Sequence, residues 1–396
     1  MINKMSSLCP LWLKVKISNI YLYFKSNRFL TKKIKKINLR GRRCVLFVIH
    51  DMTKTGAPVL ALNIAKEMYK DGYAVVVISK SPGVLAEEFS KVAKLILCKS
   101  PGLVSEELEE LIVSNFKSVF INSIVTTDWL SWFKSRSIKT ITLVHELPQV
   151  VEVFGVKEYA KNALEESDVV IYPSNFVKSS LERYLNTQTR NGKILTQGIY
   201  NKKVELLSRK DAKEIVQREF NIDNRPLVIN VANGNYRKGF DLFYKMVRLE
   251  PNLNFMWVGD IDSSFDDLCN EKPVLDNLHM PGYVSDTRML LNIYMAAELL
   301  VLTSREEPFG SIVLEAMHVG TPVVAFKDVG GFEDVVIHNE TGFLVDCFNV
   351  DEMIKIINVY VIDQDLKNRI SCNAEDSVRG FNFNSYIHEL LTEADL

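Results

Sequence analysis

Short apolar runs alternate with helix-patterned stretches along most of the chain, and they do so in two series. The first series is Cys44–Ile49, Ala74–Ser79, Lys94–Leu97, Val119–Asn122, Thr140–Val144 and Val169–Tyr172. Each run is too short for a stable helix, and continuous apolar strands are those buried on both faces. That is the condition of a parallel sheet covered by helices. The stretches between them supply the helices. Pro58–Tyr69 follows Gly56 and carries proline in its first turn, and Glu106–Val113 and Ala160–Glu166 repeat the helical spacing.

A polar stretch, Asn201–Lys213, interrupts the pattern. It then restarts with the strands Leu227–Val231, Asn254–Val258, Leu299–Leu302 and Pro322–Phe326. Phe240–Leu249, Arg288–Ala296, Ser311–Val319 and Glu352–Tyr360 are the helices of this second series. The pattern predicts an α/β protein of two doubly wound, Rossmann-like lobes, about 42–200 and 201–380. Open parallel sheets bind ligands at the carboxyl ends of their strands. Two facing lobes of this kind therefore predict an interlobe cleft.

The formal net charge of −1 conceals an asymmetric distribution. Between Met1 and His50 there is no acidic residue, while Lys14, Lys16, Lys32, Lys33, Lys35, Lys36 and Arg40 are among the cations there. Residues 1–41 thus form a basic arm on an acidic body. No apolar run approaches the roughly 18 residues that span a bilayer. Lys14 and Lys16 interrupt the region that a secretory signal keeps apolar. Leu13, Ile17, Ile20 and Phe24 share one helical face. The arm therefore reads either as an anionic-membrane contact or as a solvated leader. The acidic body repels polyanions, so no nucleic-acid partner is expected. Cys9, Cys44, Cys98, Cys269, Cys347 and Cys372 form no CxxC pair and no metal spacing with histidine. The expectation is reduced thiols, several of them buried, in a cytoplasmic protein that is peripheral at the inner face of the membrane if the arm binds there.

The segment Ser304–Gly320 (SREEPFGSIVLEAMHVG) holds the most chemistry. A strand ends, Pro308, Phe309 and Gly310 turn, and a helix begins near Ser311. A helix start presents unpaired N–H groups and the positive end of a dipole, which suits an anion. Glu307 lies before the turn and Glu315 inside the helix, so their carboxylates flank that anion site and suit sugar hydroxyls. A second segment, Val231–Phe243 (VANGNYRKGFDLF), sets Arg237 and Lys238 at the mouth of another helix, where they suit a diphosphate. Gly234 and Gly239 have P-loop spacing, but Phe240 occupies the lysine position, so that motif fails. No GxGxxG occurs, which argues against a dinucleotide-dependent oxidoreductase. In the first lobe, His145 and Glu146 close the strand Thr140–Val144.

Glu307 and Glu315 frame an E-x7-E pattern followed by GTPVVA at Gly320–Ala325 and by Gly330–Gly331. This resembles glycosyltransferase family 4, retaining enzymes of the GT-B fold. The resemblance implies that Glu307 faces the donor sugar and that Glu315 binds the ribose hydroxyls. Backbone groups of Phe309, Gly310 and Ser311 meet sugar and diphosphate, and His145 contacts the donor sugar. Gly56 would let the backbone of its loop approach the diphosphate, and Gly282 and Tyr283 (within MPGYV) lie near the base. In family 4 the arginine and lysine of the second segment stand further apart than Arg237 and Lys238 do here. The implied activity moves a hexose from a nucleoside-diphosphate sugar to a hydroxyl of a glycan or lipid-linked acceptor, in bacterial surface-polysaccharide synthesis. It needs no cofactor and no metal, and the DxD triplet Asp260–Asp262 is read as coincidental. A sugar-nucleotide epimerase of the same fold and a non-catalytic scaffold are the alternatives. The final segment Phe381–Ala394 resembles the family's last helix, which returns to the first lobe.

Overall fold

The computed structural model describes residues 37, 39, 41–200, 206–270 and 275–396. The membrane reading of the basic arm falls almost wholly outside these residues. Among the described residues no helix is long and apolar enough to cross a membrane.

The first sheet has seven strands: β1 (Cys44–Ile49), β2 (Ala74–Ser79), β3 (Ala93–Leu97), β4 (Ser118–Asn122), β5 (Lys139–Leu143), β6 (Val169–Tyr172) and β7 (Gly192–Ile194). Their order is β3-β2-β1-β4-β5-β6-β7 and every pairing is parallel. The second has six: β8 (Leu227–Val231), β9 (Asn254–Val258), β10 (Leu278–Gly282), β11 (Leu299–Leu302), β12 (Val323–Phe326) and β13 (Gly342–Val345). Their order is β10-β9-β8-β11-β12-β13, again all parallel. Strand order reverses between β1 and β4 in one sheet and between β8 and β11 in the other. The doubly wound α/β reading is borne out.

Residue alternation along β1 shows why its run is continuously apolar. Val45, Phe47 and Ile49 pack under the helix Gly56–Lys70, whereas Leu46 and Val48 pack with Ile112, Trp129 and Phe133 on the opposite face. The second lobe has one extensive core, in which Phe240, Phe243, Phe255 and Trp257 meet edge to face.

The last helix, Phe383–Glu393, belongs to the core of the first lobe. Phe383, Tyr386, Ile387, Leu390 and Leu391 are buried there, and Ser118 Oγ donates to the Ala394 carbonyl at 2.9 Å. The chain thus crosses between lobes twice. The two crossings touch: Ile199 bridges Asn382, and a side chain on Gly198 would stand 2.2 Å from the Asn382 carbonyl carbon.

Several elements differ from the sequence reading. Within the polar stretch Asn201–Lys213 a helix, Arg209–Phe220, begins, with Ser208 as its cap. That helix is largely exposed, with Ala212 and Val216 its buried residues, so its apolar stripe is thin. Short strands β7 and β10 escaped notice because β7 is three exposed or half-buried residues and β10 (LHMPG) is half-buried and contains Pro281. The helix Gln364–Val378 was also unread, its buried positions being Ile370, Ala374 and Val378. The cysteine expectation needs correction: among the described thiols only Cys98 is buried, while Cys347 and Cys372 are exposed.

Candidate active site

Loops that follow strands of the two sheets meet each other. Gln149 N, after β5, donates to Glu306 Oε1 at 3.4 Å. Ser174 Oγ, after β6, donates to the Pro308 carbonyl at 3.2 Å, and Asn175 N to Asp334 Oδ2 at 3.4 Å. Lys54 Nζ lies 4.8 Å from the ring centre of Tyr283, joining the loop after β1 to the loop after β10. The carboxyl ends of both sheets therefore face one another.

In the second lobe, Gly310 starts the helix Ser311–His318 in the left-handed region (φ 76°). A Cβ there would be strained and would sit 3.2 Å from Glu307 Cγ. The Glu307 backbone is fixed on both sides: its N–H donates to Val329 O at 2.9 Å and its carbonyl accepts from Gly331 N at 3.1 Å. Its buried carboxylate pairs with the Lys238 ammonium through Oε2 and accepts from Ser304 Oγ at 3.4 Å. Burial pulls the Lys238 ammonium below its ordinary range, Glu307 opposes this, and Arg237 adds to the lowering.

The loop carrying Arg237 and Lys238 is held rigidly. Gly239 is left-handed (φ 70°) against the Thr303 carbonyl, and Thr303 Oγ1 donates to Lys238 O at 3.1 Å. Arg305 makes two bonds to Asp241, at 2.8 and 2.7 Å, and donates to Tyr236 O at 2.6 Å. Arg237 donates to the Glu306 carbonyl at 2.9 Å. Arg237, Lys238 and Glu307 are thus brought together at the start of the helix that Phe309, Gly310 and Ser311 open.

Glu315 lies in the second turn of that helix, where Tyr294 Oη donates to its Oε2 at 3.1 Å. Burial pushes its carboxyl up to about 7, against the lowering effect of that hydrogen bond. Gly282 is left-handed (φ 75°), with Asp260 Oδ1 3.8 Å from its would-be Cβ, and Tyr283 is half exposed. Gly56 opens the helix Gly56–Lys70, and a Cβ there would meet nothing within 4 Å in the protein.

In the first lobe, Asn122 Nδ2 donates to Ala57 O at 3.1 Å, which turns its Oδ1 toward His145 Nε2 at 2.9 Å. Nε2 therefore carries the hydrogen and Nδ1 the lone pair. Burial lowers the His145 pKa; Glu146 opposes this and His50 adds to it, so the ring is neutral near pH 7. Glu146 is a structural group: its buried carboxylate accepts from Ser123 Oγ, from Ile124 N at 3.2 Å and from His145 N at 3.0 Å. Ser174 caps the helix Asn175–Leu185 and also bonds the opposite lobe. Among the described residues no cluster suits a metal, and Asp262 caps the short turn Ser263–Phe265. Asn122, Ser304 and Glu306 were not singled out from sequence. Asn122 had a readable signal, a polar residue closing an apolar strand at the reversal point.

Comparison with known proteins agrees with the fold. The family described as "Glycosyl transferases group 1" matches residues 211–377. The chain is 26% identical over 271 residues to an uncharacterized glycosyltransferase of Methanocaldococcus jannaschii, MJ1607, covering 63% of this chain and 69% of that one. It is 26% identical over 174 residues to the lipopolysaccharide core biosynthesis glycosyltransferase LpsE of Rhizobium meliloti, covering 43% of this chain and 48% of LpsE. The match thus spans about half the length of that second relative. Among solved structures, Anabaena HepE in complex with UDP superposes with a TM-score of 0.74 at 18% identity, over 89% of this chain and all of HepE. The fold is therefore that of the two-lobed GT-B glycosyltransferases, and the match to group 1 glycosyl transferases falls on the second lobe, residues 211–377.

Proposed function

We propose that the chain is a retaining glycosyltransferase that moves a hexose from a nucleoside-diphosphate sugar to a hydroxyl of a glycan or lipid-linked acceptor. The observation that carries this reading is the buried Lys238–Glu307 pair beside the open start of the helix Ser311–His318. A diphosphate bound at that helix start meets its N–H groups, with Arg237 and Lys238 alongside. Solved HepE complexes hold UDP and UDP-glucose, which supports a nucleotide-sugar donor here. LpsE is named for lipopolysaccharide core biosynthesis, which supports a surface-glycan or glycolipid acceptor.

In this reading the acceptor hydroxyl attacks the anomeric carbon on the face from which the diphosphate leaves. The bond from that carbon to the acceptor oxygen forms as its bond to the diphosphate breaks. The hydroxyl proton passes to a departing diphosphate oxygen. Arg237, Lys238 and the helix start hold the charge that develops there. His145 accepts a hydroxyl hydrogen through Nδ1, and Glu307 orients the sugar. The reaction needs no metal. The basic arm, residues 1–41, holds the enzyme to anionic membrane where lipid-linked acceptors lie, and deleting residues 1–40 should abolish liposome flotation.

The test is a thermal-shift and hydrolysis screen against UDP-, GDP- and ADP-sugars with EDTA controls. A shift with one donor, unaltered by EDTA, is the expected result. A folded protein that responds to none of them refutes the reading.

A further inference from the structure

Buried side-chain atoms without a hydrogen-bond partner are uncommon in folded proteins. Among the described residues they are His50 Nδ1, Trp129 Nε1, Asn230 Oδ1 and Glu306 Oε2. Trp129 lies in the interior of the first lobe, but the other three lie at the carboxyl ends of β1, β8 and β11. Unmet hydrogen-bonding capacity therefore gathers where the lobes face each other.

Glu306 is the acidic member of this group. Its Oε2 is sealed from solvent and accepts nothing, and its Oε1 takes one long bond, 3.4 Å, from Gln149 N. Arg237 is beside it but donates to its backbone carbonyl. Burial raises its carboxyl above the ordinary range, with Gln149 and Arg237 opposing and Glu152 adding to the rise. A carboxylate offers about four acceptor sites, and here most are unused. Leaving such a group desolvated is costly unless a donor arrives.

The neighbouring side chain points elsewhere. Glu307 turns into its own lobe toward Lys238 and Ser304, while Glu306 turns across to the first lobe at Gln149, four residues after His145. Two consecutive carboxylates thus serve two sides of one turn.

We propose that Glu306 positions the acceptor: its free oxygen receives a hydrogen bond from a non-reacting hydroxyl of the acceptor sugar, which enters between the Glu306–Glu307 turn and residues 145–149. This rests on the transferase reading above. Glu306 sets the angle at which the neighbouring hydroxyl meets the donor, and the reacting proton still leaves with the diphosphate. Oε2 is sealed while the lobes touch, and breaking the long contact between Gln149 N and Oε1 is what opens it to the sugar.

The test uses the full-length protein, the nucleotide sugar that shifts its melting, and octyl glucoside, octyl galactoside and octyl N-acetylglucosaminide as acceptor probes. Glu306→Ala should raise the acceptor KM roughly tenfold, the size expected for one hydrogen bond to a charged group, with a much smaller change in kcat. Glu306→Gln keeps a carbonyl oxygen in place and should recover most of that loss. If the alanine variant does not fold, Glu306→Asp, whose carboxylate falls short, should raise the acceptor KM in its stead. An unchanged acceptor KM in the alanine variant, or a glutamine variant as impaired as alanine, overturns the proposal and makes Glu306 a structural tie between lobes. Donor binding in the wild type without acceleration by any octyl glycoside also overturns it. A wild type that binds no nucleotide sugar overturns the transferase reading itself.

Discussion

Lys238 and Glu307 stand 69 residues apart in sequence and share one buried ion pair at the carboxyl ends of adjacent strands β8 and β11. Removing one partner of a buried pair leaves the other charge uncompensated, at a cost of about 3–5 kcal/mol. Lys238→Ala should therefore lose turnover and stability together while remaining folded. Urea denaturation of Lys238→Ala and of the double variant Lys238→Met/Glu307→Gln separates the two effects. The double variant should regain most of the stability and none of the activity. A single variant as stable as wild type would show that the pair is not sealed from water.

Glu315 links pH to stability. Its folded pKa, about 7, lies above the ordinary carboxyl value of 4.5. The folded state thus binds the proton more tightly than the unfolded state. Its penalty is absent below about pH 4.5, grows as pH rises, and is complete above about pH 7. Glu315→Gln should raise unfolding free energy by on the order of 1–2 kcal/mol at pH 8 and by little at pH 5. Denaturation curves at both pH values check the sign. Under the proposed role of Glu315 at the ribose hydroxyls, donor affinity should move the other way and weaken in Glu315→Gln.

Gly331 holds the two lobes at close quarters. A Cβ at this position would lie 2.1 Å from Ser174 Oγ and 2.3 Å from the Pro308 carbonyl. Gly331→Ala must push Pro308 away and break the bond that it accepts from Ser174. Overpacking of this kind costs about 1–3 kcal/mol. Because Pro308 adjoins Glu307, donor affinity should fall with stability, whereas Gly380→Ala, which meets nothing within 4 Å, should alter neither. Melting temperature and donor titration of the two variants make the comparison.

Deleting residues 382–396 should prevent the first lobe from folding. Phe383, Tyr386, Ile387, Leu390 and Leu391 are all buried in its core. At about 1.5–3 kcal/mol per side chain their loss approaches the whole stability of a domain. The truncated chain should be insoluble or protease-sensitive in residues 42–200 and resistant in the second lobe. Limited proteolysis with fragment mapping would show whether the first lobe survives.

Much of the fold was legible because parallel strands buried on both faces leave an unmistakable apolar run, as in Cys44–Ile49 and Leu299–Leu302. Where burial was partial, the signal weakened. Leu278–Gly282 reads as a loop because Pro281 interrupts it and its residues stay half-buried or exposed. Arg209–Phe220 leaves little helical signal because a helix lying on the surface buries few residues. Glu307 and the Arg237–Lys238 pair could be named because each sits at a strand-to-helix turn, and Glu315 because it lies in the helix that follows Glu307. What sequence could not supply was partnership. Nothing in HELPQ at 145–149 says that Glu146 is consumed by the loop Ser123–Ile124, or that Gln149 meets Glu306 from the other lobe. The first contact depends on which strands lie side by side in one sheet, the second on how the two sheets are set against each other, and local pattern encodes neither.

The return of the last helix to the first lobe has a consequence for biosynthesis. The first lobe begins at Cys44, yet its core closes only with Leu391, so a ribosome must make the entire second lobe in between. At about 5–20 residues per second, roughly tens of seconds pass while the unsealed face of the helix Gly56–Lys70 waits for its partner. The later-made lobe can finish first. The emerging chain then carries a completed second lobe beside a half that still shows its interior, and this interval is when a chaperone would have most to protect.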